Sequence, residues 1–252
     1  MKWKQFLPWI LPIVIISAWQ LSSTLGILSA RILPNPVDIV TAAIDLTKSG
    51  QLSTDVWTST KRAFLGFIVG GGIGFILGLA NGLSKISEGL LDSSIQMIRN
   101  IPHLALIPIV ILWFGIGEEA KLFLVALGTF FPIYLNTYHG IRSVDRSLIE
   151  MAYVYELKGF SLFWHIIFPA ALPSVLVGVR FALGITWVTL IVAETIAADS
   201  GIGYMAMNAR EFMQLDVVVL SIILYALLGK LSDVTAKMAE KRLLKWHPSH
   251  QK

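Results

Sequence analysis

Residues 139–174 read HGIRSVDRSLIEMAYVYELKGFSLFWHIIFPAALPS. This polar stretch carries Glu150, Gly159 and the pair Pro169 and Pro173, and long apolar segments flank it on both sides. Between apolar runs, such a stretch lies outside the hydrocarbon and serves as a handle for something beyond the bilayer. The apolar surroundings make the case for a membrane protein. Hydrophobic residues are 55% of the 252, charged residues only 14%, and mean hydropathy is +0.71, a balance foreign to soluble domains of this size.

Apolar runs fall at residues 6–21, 63–83, 104–116, 122–138, 175–198 and 217–231. At 1.5 Å rise per residue, each is roughly long enough to cross about 30 Å of hydrocarbon as a helix. The expectation is an all-α polytopic chain of about six transmembrane helices, with residues 1–252 forming a single domain. The third and sixth runs are the shortest, near the length at which a buried or re-entrant helix competes with a full span.

Orientation follows from Lys and Arg, which cytoplasmic loops retain in excess. With the N-terminus inside, Lys2, Lys4, Lys85, Arg99, Arg142, Arg146, Lys158, Lys230, Lys237, Lys241, Arg242, Lys245 and Lys252 fall on one side. Arg31, Lys48, Lys61, Arg62, Lys121 and Arg210 fall on the other. Both termini and the 139–174 loop are therefore expected in the cytoplasm, and the net charge of +4 is explained by topology with no need for nucleic acid. The basic tail reads as a segment lying beside anionic lipid. The start of the chain resembles a secretory signal peptide, but Pro8 and Pro12 interrupt its apolar stretch and no small-residue cleavage site follows, so an uncleaved first span is expected. Zero cysteines exclude disulfides, thiolate metal sites and thiol nucleophiles.

Gly66, Gly70, Gly74, Gly78 and Gly82 recur every four residues, with Gly71 and Gly72 added. One helix face thus lacks side chains, which lets another helix approach closely within the subunit or across a dimer. With no Gly-Lys-Ser or Gly-Lys-Thr, these glycines are no phosphate loop.

Within the polar loop, Ser147 with Glu150 three positions on predicts a capping box, so a short helix is expected from Ser147 to about Leu157 before Gly159 interrupts it. Phe160, Phe163, Trp164, Ile167 and Phe168 fall at i, i+3, i+4, i+7 and i+8, predicting a second amphipathic helix that Pro169 terminates. Spacing alone is equally compatible with that face lying on the inner membrane surface, against its own helix ends, or in a groove of a soluble partner.

Glu150-Met151-Ala152 followed by Ile166-Ile167-Phe168-Pro169 is similar to the Glu-Ala-Ala loop of ABC importer permeases. The continuation Pro169-Ala170-Ala171-Leu172-Pro173 resembles the branch importing nitrate, taurine and aliphatic sulfonates. Met151 stands where the motif has its first alanine, and Glu156 where the family's usual glycine falls. Val177-Gly178-Val179-Arg180-Phe181-Ala182-Leu183-Gly184, Ala193-Glu194-Thr195 and Ser200-Gly201-Ile202-Gly203-Tyr204 also look like this branch. Ala206-Met207-Asn208-Ala209-Arg210-Glu211-Phe212 and Leu224-Tyr225-Ala226-Leu227-Leu228-Gly229-Lys230 look most like the aliphatic sulfonate permeases.

The resemblance implies a type I ABC importer permease fold in the bacterial inner membrane, without an ATPase of its own. It implies pairing with a second permease copy, two copies of an ATPase subunit docked on the loops, and an extracytoplasmic substrate-binding protein. It implies no cofactor, and it makes Glu150, Ala152, Gly159, Phe163, Ile167, Pro169 and Pro173 the ATPase-coupling residues.

An anionic substrate calls for a cation or helix N-termini facing a cavity, because burying an unpaired anion costs several kcal/mol. Arg180 and Glu194 are the only charges well inside the apolar runs. They read either as an anion site with Arg180 at its centre or, by preference, as structural groups paired with each other or with helix ends. Asn100 and His103 flank Pro102 at the start of the third run, where such residues line a gate or, more commonly, cap a helix. The histidines form neither a His-Glu-x-x-His nor a His-x-x-x-His pattern, which argues against an intramembrane hydrolase or metal site. His103, His139 and His165 are scattered, while His247 and His250 lie in the tail. A channel or proton-coupled carrier is the rival class. It would typically show several carboxylates within its spans or an inverted repeat, and neither is visible.

Overall fold

A computed structural model describes residues 3–29 and 32–246. Lys2, Arg31 and Lys252 from the charge balance, and the tail histidines His247 and His250, lie outside the described residues. Those residues form helices and no strand: α1 (Trp3–Thr24), α2 (Pro36–Lys48), α3 (Gln51–Leu83), α4 (Lys85–Arg99), α5 (Ile107–Phe114), α6 (Glu118–Arg142), α7 (Arg146–Val154), α8 (Gly159–Leu162), α9 (Phe168–Ala197), α10 (Ile202–Glu211) and α11 (Leu215–Leu243). A 3-10 turn over His103–Leu106 leads into α5, and a π-helical turn over Phe163–Ile167 joins α8 to α9.

By length and composition, four helical segments of the described residues can cross a membrane: Gln51–Leu83, Glu118–Arg142, Gly159–Ile196 and Leu215–Leu243. The expected third run does not stand as a span of its own. The eight residues of α5 rise only about 12 Å, and α4 meets the His103–Phe114 segment at a bend of 82°. Counted as one broken span, that pair brings the total to five. The bend has a physical cause in Pro102, which cannot continue a helix and holds its predecessor extended. Residues 10–24 of α1 form a shorter apolar helix, so the first expected run, 6–21, is not matched by a full-length span among the described residues, whereas the sixth, 217–231, lies within the spanning segment Leu215–Leu243.

The chain divides into two compact units. In one, comprising residues 60–197 and 227 onward, α6 is the core element. The glycine stripe of α3 lies against it within the same chain. A Cβ built at Gly70 would overlap the Ala126 carbonyl oxygen, one at Gly74 would come within 2.5 Å of the Phe130 carbonyl oxygen, and one at Gly78 within 2.8 Å of the Thr137 side chain. α9 approaches α6 just as closely: a Cβ at Gly178 would sit 2.7 Å from Asn136, and one at Gly140 2.9 Å from Ser174. Backbone contact of this kind supplies the dispersion attraction that joins helices where lipid removes the hydrophobic force. Pro132 inside α6 has no N–H to give the Gly128 carbonyl one turn back, and in the following turn Asn136 Nδ2 donates to the Pro132 carbonyl at 2.8 Å.

In the other unit, comprising the chain up to residue 59 and residues 198–226, α3 caps α10. The Asp55 carboxylate accepts from the Gly201 N–H at 2.8 Å, and the Ser59 hydroxyl accepts from the Ile202 N–H at 2.9 Å. Both bonds satisfy first-turn donors that α10 itself cannot. Gly201 takes φ +106°, which an L side chain rarely adopts.

Candidate functional site: the 139–174 loop and the buried charges

Asp145, not Ser147, caps α7. Its carboxylate accepts from the Ser147 N–H at 2.9 Å, and that bond holds the Asp145 carboxyl below the usual aspartate range. Ser147 is the second residue inside the helix, so the expected capping box does not form. A carboxylate is the stronger acceptor and also suits the positive helix end. α7 ends at Val154 rather than near Leu157. The Glu156 N–H donates to Tyr153 O and the Leu157 N–H to Ala152 O, both at 3.0 Å, which is a Schellman turn. Its left-handed position is Glu156 at φ +60°, where glycine is usual. Gly159, at φ +55°, follows as a second left-handed residue where α8 begins.

Pro169 does not end the second amphipathic helix. The apolar helical segment is continuous over Gly159–Ile196, 38 residues. The π turn over Phe163–Ile167 makes this possible. The Phe168 N–H donates five residues back to Phe163 O, and the widened turn moves the preceding carbonyl out from under the proline ring. The side chains of Phe160, Trp164 and Phe168 stack along this segment. Centroids are 6.2 Å apart for Phe160 and Trp164 and 5.4 Å for Trp164 and Phe168, with ring planes within 14° and 7°. Phe160 is 78% exposed and Trp164 54%, whereas Phe163 and Ile167 are half-buried. Glu150 is exposed, Ala152 is the buried residue of α7, and Pro169 and Pro173 lie partly buried at the start of α9.

Arg180 and Glu194 are not paired with each other. Glu194, at the far end of α9, accepts from Arg62 Nη1 at 2.8 Å with both side chains buried. Arg62 also grips Glu118 through Nε at 2.7 Å and through Nη2, and Lys121 Nζ reaches Glu118 at 2.9 Å. Arg180 Nε instead donates to Asp233 of α11 at 2.7 Å. Arg62, Glu118, Lys121 and Asp233 were missed because each sits at the edge of an apolar run and reads as an ordinary loop or interfacial charge. Asn100 is the exposed C-cap of α4, its Nδ2 bonded to Gln96 O at 3.1 Å. His103 is turned inward, with Nε2 3.0 Å from Thr189 Oγ1. Of the four residues weighed for a substrate path, His103 and Arg180 border one cavity, of about 510 Å³, while Asn100 and Glu194 stand apart from it.

The family model "Binding-protein-dependent transport system inner membrane component" matches residues 70–245. The chain belongs to this permease family. It is similar to "Putative aliphatic sulfonates transport permease protein SsuC" of Escherichia coli (strain K12), 62% identical over 99% of this chain and 95% of that protein. The SsuC protein of Bacillus subtilis (strain 168) is 48% identical over 96% and 88%. "Taurine transport system permease protein TauC" of Escherichia coli (strain K12) is 33% identical over 93% and 87%. Among solved structures, the inward-facing MetNI methionine ABC transporter superposes with a TM-score of 0.51 at 18% identity, over 71% of this chain and 90% of that one. At that identity the likeness speaks for fold, and the permease has the all-α fold of a type I ABC importer permease. It is a multi-pass membrane component of a transport system.

Proposed function

We propose that the permease is the membrane subunit of an ATP-driven importer for aliphatic sulfonates, acting as one domain over residues 1–252. The observation that carries the substrate is 62% identity over nearly the whole chain to an aliphatic sulfonate permease. Taurine and nitrate are the competing substrates of the same class. The partners on this reading are a second permease copy, two copies of a separate ATPase subunit and an extracytoplasmic binding protein. The termini and the 139–174 loop face the cytoplasm in the bacterial inner membrane.

The loop has the mechanics this role needs. Glu150 and the stacked pair Phe160 and Trp164 offer an exposed charged and aromatic surface to the ATPase. Because the helix runs unbroken from Gly159 to Ile196, a displacement of that surface is transmitted along α9 as along a lever. ATP hydrolysis in the partner would then switch the pore between outward-open and inward-open states.

The test is sulfur-limited growth of a bacterium deleted for its sulfonate permease and complemented with this chain. Growth on alkanesulfonate but not on taurine as sulfur source, with no rescue on nitrate in a separate nitrogen-limited test, supports the reading. Growth on taurine alone replaces the substrate, and no growth with an assembled complex rejects the importer.

A further inference from the structure

Val177, Arg180, Phe181, Gly184 and Val188 share one face of α9, spaced as neighbours on a helix surface are. That face borders the cavity of about 510 Å³, whose deep end holds the hydrogen-bonded pair His103 and Thr189. Arg180 and Thr189 are nine residues apart on α9, so the cavity runs about 13 Å between them. Gly184 keeps it hollow, since nothing lies within 4 Å of a Cβ built there.

At the mouth, Asp233 engages Arg180 through Nε alone, and it is shared with Lys237 at 2.9 Å and Lys230 at 3.9 Å. One carboxylate among three cations leaves an excess of positive charge. The two Nη groups of Arg180 make no hydrogen bond among the described residues. An incompletely neutralised guanidinium on an apolar wall is costly in a chain that crosses a bilayer, and an anion would complete its partners.

We infer that this cavity binds an anionic group carried on an alkyl tail. The Arg180 Nη fork holds two of the anion's oxygens, and the walls formed by Val177, Phe181 and Val188 take the tail. A volume of 510 Å³ lies within the range of small-molecule sites. The inference deepens the sulfonate reading and rests on it for the ligand's identity. The same chemistry is presented by a transported alkanesulfonate and by an acidic lipid headgroup.

The experiment is titration of octanesulfonate into the purified full-length permease in phosphatidylcholine nanodiscs, with native mass spectrometry of retained phosphatidylglycerol as the second arm. Saturable octanesulfonate binding is expected, weakened at least tenfold by Arg180→Gln and partly restored by Arg180→Lys. Asp233→Asn removes the competing carboxylate and is expected to tighten binding several-fold. A merely structural ion pair predicts instead that both substitutions act alike. Gly184→Leu fills open space without touching the ion pair and is expected to abolish binding. Retention of phosphatidylglycerol that Arg180→Gln eliminates, with no octanesulfonate binding, supports the cavity with lipid as its ligand. Binding of neither ligand, or equal binding by wild type, Arg180→Gln and Gly184→Leu, overturns the inference. Arg180-dependent octanesulfonate binding alongside failed sulfonate growth rejects the importer reading and leaves the cavity standing.

Discussion

Arg62 on α3 and Glu194 on α9, 132 residues apart in the chain, form a buried ion pair at 2.8 Å. The guanidinium also holds Glu118, whose side chain is 54% exposed. The two carboxylates therefore sit in different dielectric surroundings, and their removal should differ in cost. Arg62→Met deprives the buried Glu194 carboxylate of its guanidinium and is expected to destabilise by about 3–5 kcal/mol. Glu118→Gln also takes the carboxylate from the buried Lys121, but its amide oxygen still accepts and water reaches the site, so it is expected to cost less, about 1–3 kcal/mol. The double replacement Arg62→Met with Glu194→Leu should recover most of the loss. Thermal unfolding of the detergent-solubilised chain ranks these variants, and equal shifts for Arg62→Met and Glu118→Gln would contradict the assignment.

Gly74 and Gly72 offer a matched pair two residues apart on α3. A side chain at Gly74 meets the Phe130 carbonyl and the Tyr134 N–H of α6, whereas one at Gly72 meets open space. Gly74→Leu is expected to force α3 off α6, with a loss of about 1–3 kcal/mol or more. Gly72→Leu should leave unfolding unchanged. The readout is folded yield and midpoint of unfolding, and indistinguishable variants would mean that the stripe does not set the approach of the two helices.

These two cases mark what was legible in the sequence. The family motifs and long apolar runs identified an all-α permease, since hydropathy and residue type are local properties. The four-residue glycine repeat likewise marked a bare helix face. Which face meets which is a tertiary fact, so Glu194 was set beside the nearest intramembrane charge, Arg180, rather than Arg62. Pro169 read as a terminator because a proline within α-helical geometry is one. The π turn that admits it has no signature in hydrophobic spacing. The 104–116 run was apolar enough to suggest a span, but Pro102 turns it away from α4 and leaves it too short to cross alone.

Asp145 and Ser147 compete for the role of cap on α7, and the bond from the Ser147 N–H to Asp145 assigns it to Asp145. Asp145→Ala is expected to speed amide exchange several-fold over the first turn of α7, while Ser147→Ala should leave it unchanged. The sign of the pH effect follows from the depressed carboxyl. The capping contribution is complete above the ordinary aspartate value of 3.8 and is lost as pH falls through the lower folded-state value. Hydrogen exchange of residues 146–154, compared between neutral pH and below pH 4 after correction for intrinsic rates, measures both effects. Faster exchange in Ser147→Ala alone would restore the capping box.

Phe160 and Trp164 present stacked rings on the surface of the 139–174 loop, while Phe163 lies half-buried between Phe160 and Phe168 at centroid distances of 6.4 and 5.8 Å. If the loop docks the ATPase, the exposed pair makes the contact and Phe163 supports it from beneath. Trp164→Ala is therefore expected to weaken ATPase association by about 2 kcal/mol or more, roughly thirty-fold, as truncation of a buried interface aromatic does. Phe163→Ala should instead lower the stability of the permease itself through a lost core contact. Glu150→Lys, at an exposed position, should weaken association without altering unfolding of the isolated permease. Co-purification of the ATPase, quantified beside the unfolding midpoint of each variant, separates docking from folding. Full ATPase recovery with Trp164→Ala and Glu150→Lys would move the docking surface away from this loop.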